Sequence, residues 1–508
     1  MRFPRRSGIL MHPTSFPGRF GIGDLGDEAC RFIDFLVSAG QTYWQVLPLS
    51  PTGYGDSPYQ GLSAFAGNPM LISPERLVEM GHLLPADLEG MPDFPNDRVD
   101  FGPVIEARMG LLNRAFARFR DQAPAAQRKA FARFCEEQAG WLEDAALFMA
   151  LKEAHHLRPW HEWEEGAAWR RPEALARWRE KLAGEIENQK YRQWQFFEQW
   201  LALKKYANEH GVRIIGDIPI FVALDSADVW ANPHLFQLDE ELQPTVVSGV
   251  PPDYFSETGQ LWGHPLYRWK LMAKDGYAWW IERFRMAFTQ ADVVRIDHFR
   301  GFYDYWEVPA KEKTAVNGRW LLGPGADLFH AVTKALGEVA IVAEDLGYFE
   351  PEARAGVDAL QAEFGYPGMK VLQFAFLTTP ADPFLPHNYV SPSWVVYTGT
   401  HDNDTVLGWY TDTSTAEERE YALKYLGTDA SDISWDLIRL AWASTANTAM
   451  TTTQDLLSLG HRSRMNLPST LGPPNWCWRL PPGSLKDDVA RRLLELTTIY
   501  ARMPLPGA

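Results

Sequence analysis

Residues 293–301 read Val293-Val294-Arg295-Ile296-Asp297-His298-Phe299-Arg300-Gly301. A short run rich in β-branched apolar residues ends abruptly in charge. Such a run, too short for a helix, fits a strand covered on both faces. Side chains alternate across a strand, so Arg295 and Asp297 share one face.

Similar runs recur along the chain, each followed by a loop and a helical stretch. They lie at 212–218, 339–343, 369–374, 395–398 and 449–453, and 43–47 belongs with them. A candidate at 70–73 brings the set, with 293–296, to eight. Apolar runs separated by helices indicate parallel strands. Eight such units are expected to close into a (β/α)8 TIM barrel; a doubly wound open sheet is the alternative. Between the strands at 43–47 and 212–218 the composition turns rich in Ala, Arg, Glu and aromatic residues, with little Gly. Trp194, Phe197 and Leu201 recur at helical spacing, as do Trp141, Ala145 and Phe148. A mainly helical insertion over about 75–210 is therefore expected in a single barrel domain spanning 1–508, with those Trp as packing residues.

Polar residues follow several of the strands: Gly216-Asp217-Ile218-Pro219, Arg295-Ile296-Asp297-His298, Ala343-Glu344-Asp345 and Thr400-His401-Asp402-Asn403-Asp404. Acidic residues after strands are often helix N-caps. A cap, however, needs no Arg or His beside it. In a barrel these strand ends converge on one face, where active sites lie. Converging carboxylates suit glycosidic chemistry. One carboxylic acid protonates the leaving oxygen, and another carboxylate attacks the anomeric carbon or activates water there. Arg295 would keep Asp297 ionised and nucleophilic. Glu344 as the acid would need a raised pKa.

Composition narrows the partners. The 508 residues carry 49 Lys and Arg against 65 Asp and Glu, a net charge of −16, which disfavours nucleic acid. The 3 cysteines show no disulfide or CxxC pattern. No signal-peptide h-region follows Arg5-Arg6, and no window of about 18 residues is continuously apolar, so a cytoplasmic protein without membrane contact is expected. The 401–404 segment lacks the Ca²⁺-loop pattern, and His161-Glu162 lacks the second His of HExxH. Gly21-Ile22-Gly23-Asp24-Leu25-Gly26 matches G-x-G-x-x-G but follows no strand. Walker A and G-x-S-x-G motifs are missing. No metal and no cofactor are expected. The 21 Trp, within 13% aromatic residues, include candidates for stacking on sugar rings.

With these residues in view, the chain resembles the 4-α-glucanotransferases of the amylomaltase type, glycoside hydrolase family 77. The motifs that carry the resemblance begin with Gly8-Ile9-Leu10-Met11-His12-Pro13-Thr14-Ser15-Phe16-Pro17-Gly18, Trp44-Gln45-Val46-Leu47-Pro48-Leu49 and the segment 53–60. Gly216-Asp217-Ile218-Pro219-Ile220, Arg295-Ile296-Asp297-His298-Phe299-Arg300-Gly301, Ala343-Glu344-Asp345-Leu346-Gly347 and Thr400-His401-Asp402-Asn403-Asp404-Thr405 complete the set. The resemblance implies a barrel with helical insertions and no C-terminal β-domain. It assigns Asp297 as nucleophile, Glu344 as general acid/base and Asp402 as transition-state stabiliser. Arg295, His401, Tyr59, Asp217 and Asn466 would hold the sugar. Asp253, Tyr254 and Phe255 would cover bound glucan from an insertion over about 219–290, and Tyr54 would make a secondary glucan contact. The implied substrates are α-1,4-glucans and malto-oligosaccharides, handled by a retaining double displacement. In Arg464-Met465-Asn466-Leu467-Pro468-Ser469 the family pattern is followed until Ser469, where Gly is usual. Two alternatives remain at this point: an α-1,4-glucan hydrolase using the same residues, and a non-catalytic glucan-binding protein.

Overall fold

A computed structural model describes residues 3–53, 55–252, 256–377 and 379–503. Its twelve strands, in chain order, are β1 (Arg6–Leu10), β2 (Tyr43–Gln45), β3 (Arg213–Pro219), β4 (Val246–Val250), β5 (Gln260–Pro265), β6 (Val293–Asp297), β7 (Asp304–Pro309), β8 (Arg319–Leu322), β9 (Ile341–Ala343), β10 (Gly368–Val371), β11 (Trp394–Tyr397) and β12 (Thr448–Thr452). Eight form one sheet in the order β10-β11-β12-β1-β2-β3-β6-β9, every pairing parallel. The edges meet where Ala343 N–H donates to Pro367 O at 2.9 Å. The sheet thus curls into the (β/α)8 barrel.

Period-two alternation builds the barrel's two faces. Val294 and Ile296 of β6 point outward into the core shared with the helices. Val293 points inward, into a separate apolar plug with Tyr43, Ile215, Val342, Met369, Val395 and Met450. Arg295 and Asp297 continue that inward row toward the C-terminal end of β6.

One strand expectation is corrected. Residues 70–73 form no strand: Pro69–Leu71 is a 3₁₀ turn, with Asn68 Oδ1 accepting from Met70 N–H at 2.9 Å. Pro69 fixes φ and lacks an N–H to give a ladder, so the chain turns there. The eighth strand is instead β1, which fits between β12 and β2. Gly8 permits this approach, because a Cβ there would run into the Tyr43 carbonyl. Strand 43–47 is therefore the second of the barrel in chain order, not the first.

Between β2 and β3 lie the helices Phe101–Gln122, Ala125–Glu137, Ala139–Ala154, Pro172–Lys181 and Ala183–Glu209. The last is the spine of this region. Its Trp200 is fully buried, packs edge-on against Trp44 at 5.9 Å and donates to Gln290 O at 2.9 Å. Strands β4 and β5 fold together with β7 and β8 as a four-stranded antiparallel sheet in the order β5-β4-β7-β8. This sheet therefore joins a segment before β6 to one after it. Trp262 of β5 meets the ring of His298, just after β6, edge-on at 4.8 Å.

Candidate active site

The inward row of β6 ends in an ionic chain. Arg295 donates through Nη1 to Asp217 Oδ2 of β3 at 2.6 Å and through Nη2 to Asp297 Oδ1 at 2.8 Å. The register that pairs Asp217 with Arg295 across neighbouring parallel strands sets this contact. Tyr59, in the loop after β2, donates its hydroxyl to the same Asp217 oxygen at 2.8 Å. Arg295 is almost wholly buried, and both carboxylates stabilise its charge strongly. The same guanidinium fixes the position of one Asp297 oxygen. Burial pushes the Asp217 carboxyl up against the pull of Arg295.

Glu344 lies one residue beyond β9. Its Oε2 accepts from His298 N–H at 2.7 Å and its Oε1 from Leu346 N–H at 2.8 Å. His298, which donates the first of these bonds, has φ +51, an unusual value for a residue with a Cβ. Burial, reinforced by the charge of Asp297, pushes the Glu344 carboxyl up to about 8. At neutral pH it therefore holds a proton.

Asp402 follows β11. Its Oδ1 accepts from Asn466 Nδ2 at 2.7 Å, and His401 Nε2 lies 3.3 Å from its Oδ2. Burial lowers the His401 pKa, so the imidazole is neutral near pH 7. Tyr59 stacks on His401 with ring centres 5.1 Å apart, and Trp476 flanks the pair, its ring centre 5.9 Å from each.

The sequence-derived set thus converges. Tyr59, Asp217, Arg295 and Asp297 form one network, Glu344 adjoins it through His298 and feels the charges of Asp297 and Arg295, and His401, Asp402 and Asn466 meet it through Tyr59. Tyr54, Asp253, Tyr254 and Phe255 lie outside the described residues.

Three residues of this neighbourhood went unassigned in the sequence reading. Arg464 Nη2 holds the Asp402 carbonyl at 2.6 Å. Trp476 supplies the third ring. His12, buried beside His401, accepts from Leu47 N–H through Nδ1 at 3.3 Å. Arg464 and Trp476 lie in the one loop that departs from the family pattern, and His12 in a motif whose residues gave no individual role. That loop's departure has a visible consequence: Ser469 adopts φ +63, the conformation glycine favours. Asn475 ties the loop, accepting from Leu467 N–H at 2.8 Å and donating to Thr470 Oγ1 at 2.8 Å. Among the described residues, no group of three or more His, Cys, Asp and Glu is arranged to hold a metal ion. No helix there is long and apolar enough to cross a membrane.

A closed parallel barrel with one acid-form carboxyl and one arginine-bound carboxylate at its C-terminal end defines a carbohydrate-active barrel enzyme. The family model described as 4-alpha-glucanotransferase matches residues 11–486. A 4-alpha-glucanotransferase of Synechocystis sp. is 51% identical over 98% of this chain and 98% of its own length. One from Thermus thermophilus is 50% identical over 99% of this chain and 100% of its own. The structure of an amylomaltase from Streptococcus agalactiae in complex with acarbose superposes with a TM-score of 0.94, at 40% identity, covering 98% of this chain and 100% of that one. The chain belongs to the 4-alpha-glucanotransferase family, enzymes of glucan transfer.

Proposed function

We propose that this protein moves α-1,4-glucan segments from a donor to the 4-hydroxyl of an acceptor glucan or glucose by a retaining double displacement. An Asp297 carboxylate oxygen attacks the anomeric carbon. The glycosidic C–O bond breaks, and the Glu344 proton goes to the departing oxygen. Forming the glucosyl ester removes the charge of Asp297, one of the causes that raises the Glu344 pKa. Having given up its proton, Glu344 can thereby stay ionised and serve as the base of the second half. It takes the proton of the acceptor's 4-hydroxyl, whose oxygen attacks the same carbon and releases Asp297. One residue thus serves both proton transfers.

Asp402, anchored by Asn466 and flanked by His401, would bond the sugar hydroxyls and stabilise the positive charge that develops on the ring. Arg295, Asp217 and Tyr59 fix the nucleophile and line the central sugar position. Malto-oligosaccharides are the soluble substrates of this reading. The barrel is its single catalytic domain, with the helical stretch over about 75–210 and the 219–290 segment as insertions. Cytoplasmic residence is supported by Cys30, Cys135 and Cys477, all free thiols.

The observation that carries the assignment is geometric: Arg295 bridges Asp217 and Asp297 at the end of β6, and the next residue, His298, donates its N–H to the buried Glu344 carboxyl. Purified protein with maltotriose tests it. Transfer yields glucose and longer oligosaccharides at a constant number of reducing ends, whereas hydrolysis increases them. Asp297→Asn is expected to abolish both, and full activity in that variant would remove the catalytic assignment.

A further inference from the structure

Outside the barrel, a cavity of about 720 Å³ opens between the helical region and the helix Ala278–Gln290. Helices Ala183–Glu209 and Ala278–Gln290 form its walls, and Ala125–Glu137 and Ala139–Ala154 cover it. None of the residues of the catalytic centre lines it. Its size falls within the range of small-molecule sites.

The lining is built from rings and paired charges. Phe65 and Trp141 lie nearly parallel, 16° between planes and 6.5 Å between centres. Trp279 stands edge-on to Phe65 at 5.9 Å. Trp141 was expected to be packing, yet it is only half-buried, and its indole N–H is held by Gln138 Oε1 at 2.9 Å. The Nε1 of Trp279 is shielded from solvent and finds no acceptor among the described residues.

Charge decides the ligand class. Six carboxylates and two arginines line the cavity, so a phosphorylated or carboxylated ligand is disfavoured. Three of those carboxylates face guanidinium groups: Glu137 with Arg133 at 3.8 Å, Glu282 with Arg285 at 3.2 Å and Asp144 with Arg170 at 2.7 Å. This pairing weakens the attraction for an organic cation. What remains is flat aromatic surface edged with acceptors and donors, which suits a neutral ring bearing hydroxyls.

We propose that this cavity is an accessory glucan-binding site, holding a distant part of a long chain while the catalytic centre works on its end. The proposal rests on the glucan-transfer reading above. The two sites are also joined mechanically. Segment 59–66 carries Tyr59 at one end, bonded to Asp217, and Phe65 at the other. Between them, Ala64 N–H donates to Asp228 Oδ2 at 2.7 Å, and Ser63 Oγ accepts from Phe65 N–H and Ala66 N–H at 3.2 Å each. The short segment is therefore held fast between the two.

The test uses the full-length Asp297→Asn protein, which binds without turnover. Hydrogen exchange on adding maltoheptaose is expected to show protection at residues 137–145 as well as around the catalytic loops; protection at the catalytic loops alone overturns the site. In native gels containing amylose, adding Trp141→Ala, or Ala130→Trp to fill the cavity, is expected to weaken retardation at least fivefold. Retardation within twofold in both variants also overturns it. In the otherwise wild-type enzyme, Trp141→Ala should raise the KM for amylose about fivefold relative to the KM for maltotriose. If maltoheptaose protects nothing and the wild-type enzyme does not convert maltotriose, the glucan-transfer reading itself has failed, and not only the accessory site.

Discussion

The two ends of the barrel interior are made from the same strands and obey opposite rules. At the N-terminal end, Val293, Val342, Met369, Val395 and Met450 fill the space with apolar side chains, all buried. At the C-terminal end the same rows continue as Asp217, Arg295 and Asp297, with Glu344 just beyond β9. The apolar end has every reason to be stable: it buries hydrocarbon and asks nothing of water. The polar end is a set of compromises. Glu344 is kept from ionising at neutral pH, Asp217 Oδ1 is buried with no partner among the described residues, and His298 sits in a left-handed conformation. At this end a strained residue and an unsatisfied oxygen coincide with the chemistry, and the regular apolar packing beneath supports them.

The sharpest break of this contrast is Glu344→Gln. It keeps the shape and removes the proton, so kcat for maltotriose transfer is expected to fall by about 10²–10⁴-fold, the range for a general acid/base. At the other end, Met369→Ala is expected to cost about 2–5 kcal/mol of stability in denaturant unfolding while kcat per folded molecule stays put. Loss of kcat in proportion to stability would mean the two ends are not separable.

Asn466→Ala removes the hydrogen bond to Asp402. Bonds to charged groups contribute about 1.5–3 kcal/mol, so where that bond holds Asp402 for the transition state kcat/KM should drop about 10- to 100-fold, measured per folded molecule. The smallest effect concerns pH. The folded Glu344 titrates at about 8 against an ordinary 4.5 when unfolded. Between those values the folded state holds a proton that the unfolded chain has lost, so this residue costs stability progressively as pH rises through the window. Glu344→Gln carries a constant loss, because its amide nitrogen cannot accept the N–H of His298 or Leu346, but relative to wild type its melting temperature is expected to rise between pH 4.5 and pH 8. Over the same range, wild-type transfer should decline as pH passes through about 8, because the acid form is lost. A melting difference independent of pH would break the link between the acid role and its energetic cost.

Much of the site was legible before any coordinates. A strand that stops in Arg-x-Asp announces both its buried faces and its polar end, because alternation puts Arg295 and Asp297 together without further information. The helical region was equally plain from spacing, since Trp194 and Phe197 recur at a helical interval. Other elements gave no such signal. Strand β1, Arg6-Ser7-Gly8-Ile9-Leu10, has only two large apolar residues, and it becomes a strand because its backbone pairs with Thr448–Thr452 at the far end of the chain. The run at 70–73 carries the apolar signature without the structure, because Pro69 turns the chain.

By itself, then, the sequence determined which residues could do the chemistry and that they stand at strand ends. Local alternation and residue type are enough for that, since both act over a few neighbours. The tertiary structure alone decided which strands neighbour one another, that Arg295 bridges Asp217 and Asp297, that two distant segments complete a single antiparallel sheet, and that Phe65, Trp141 and Trp279 enclose a cavity. Each of these depends on groups brought together from far along the chain. Burial, which shifts the Glu344 proton and orients these contacts, exists only once the chain has closed on itself.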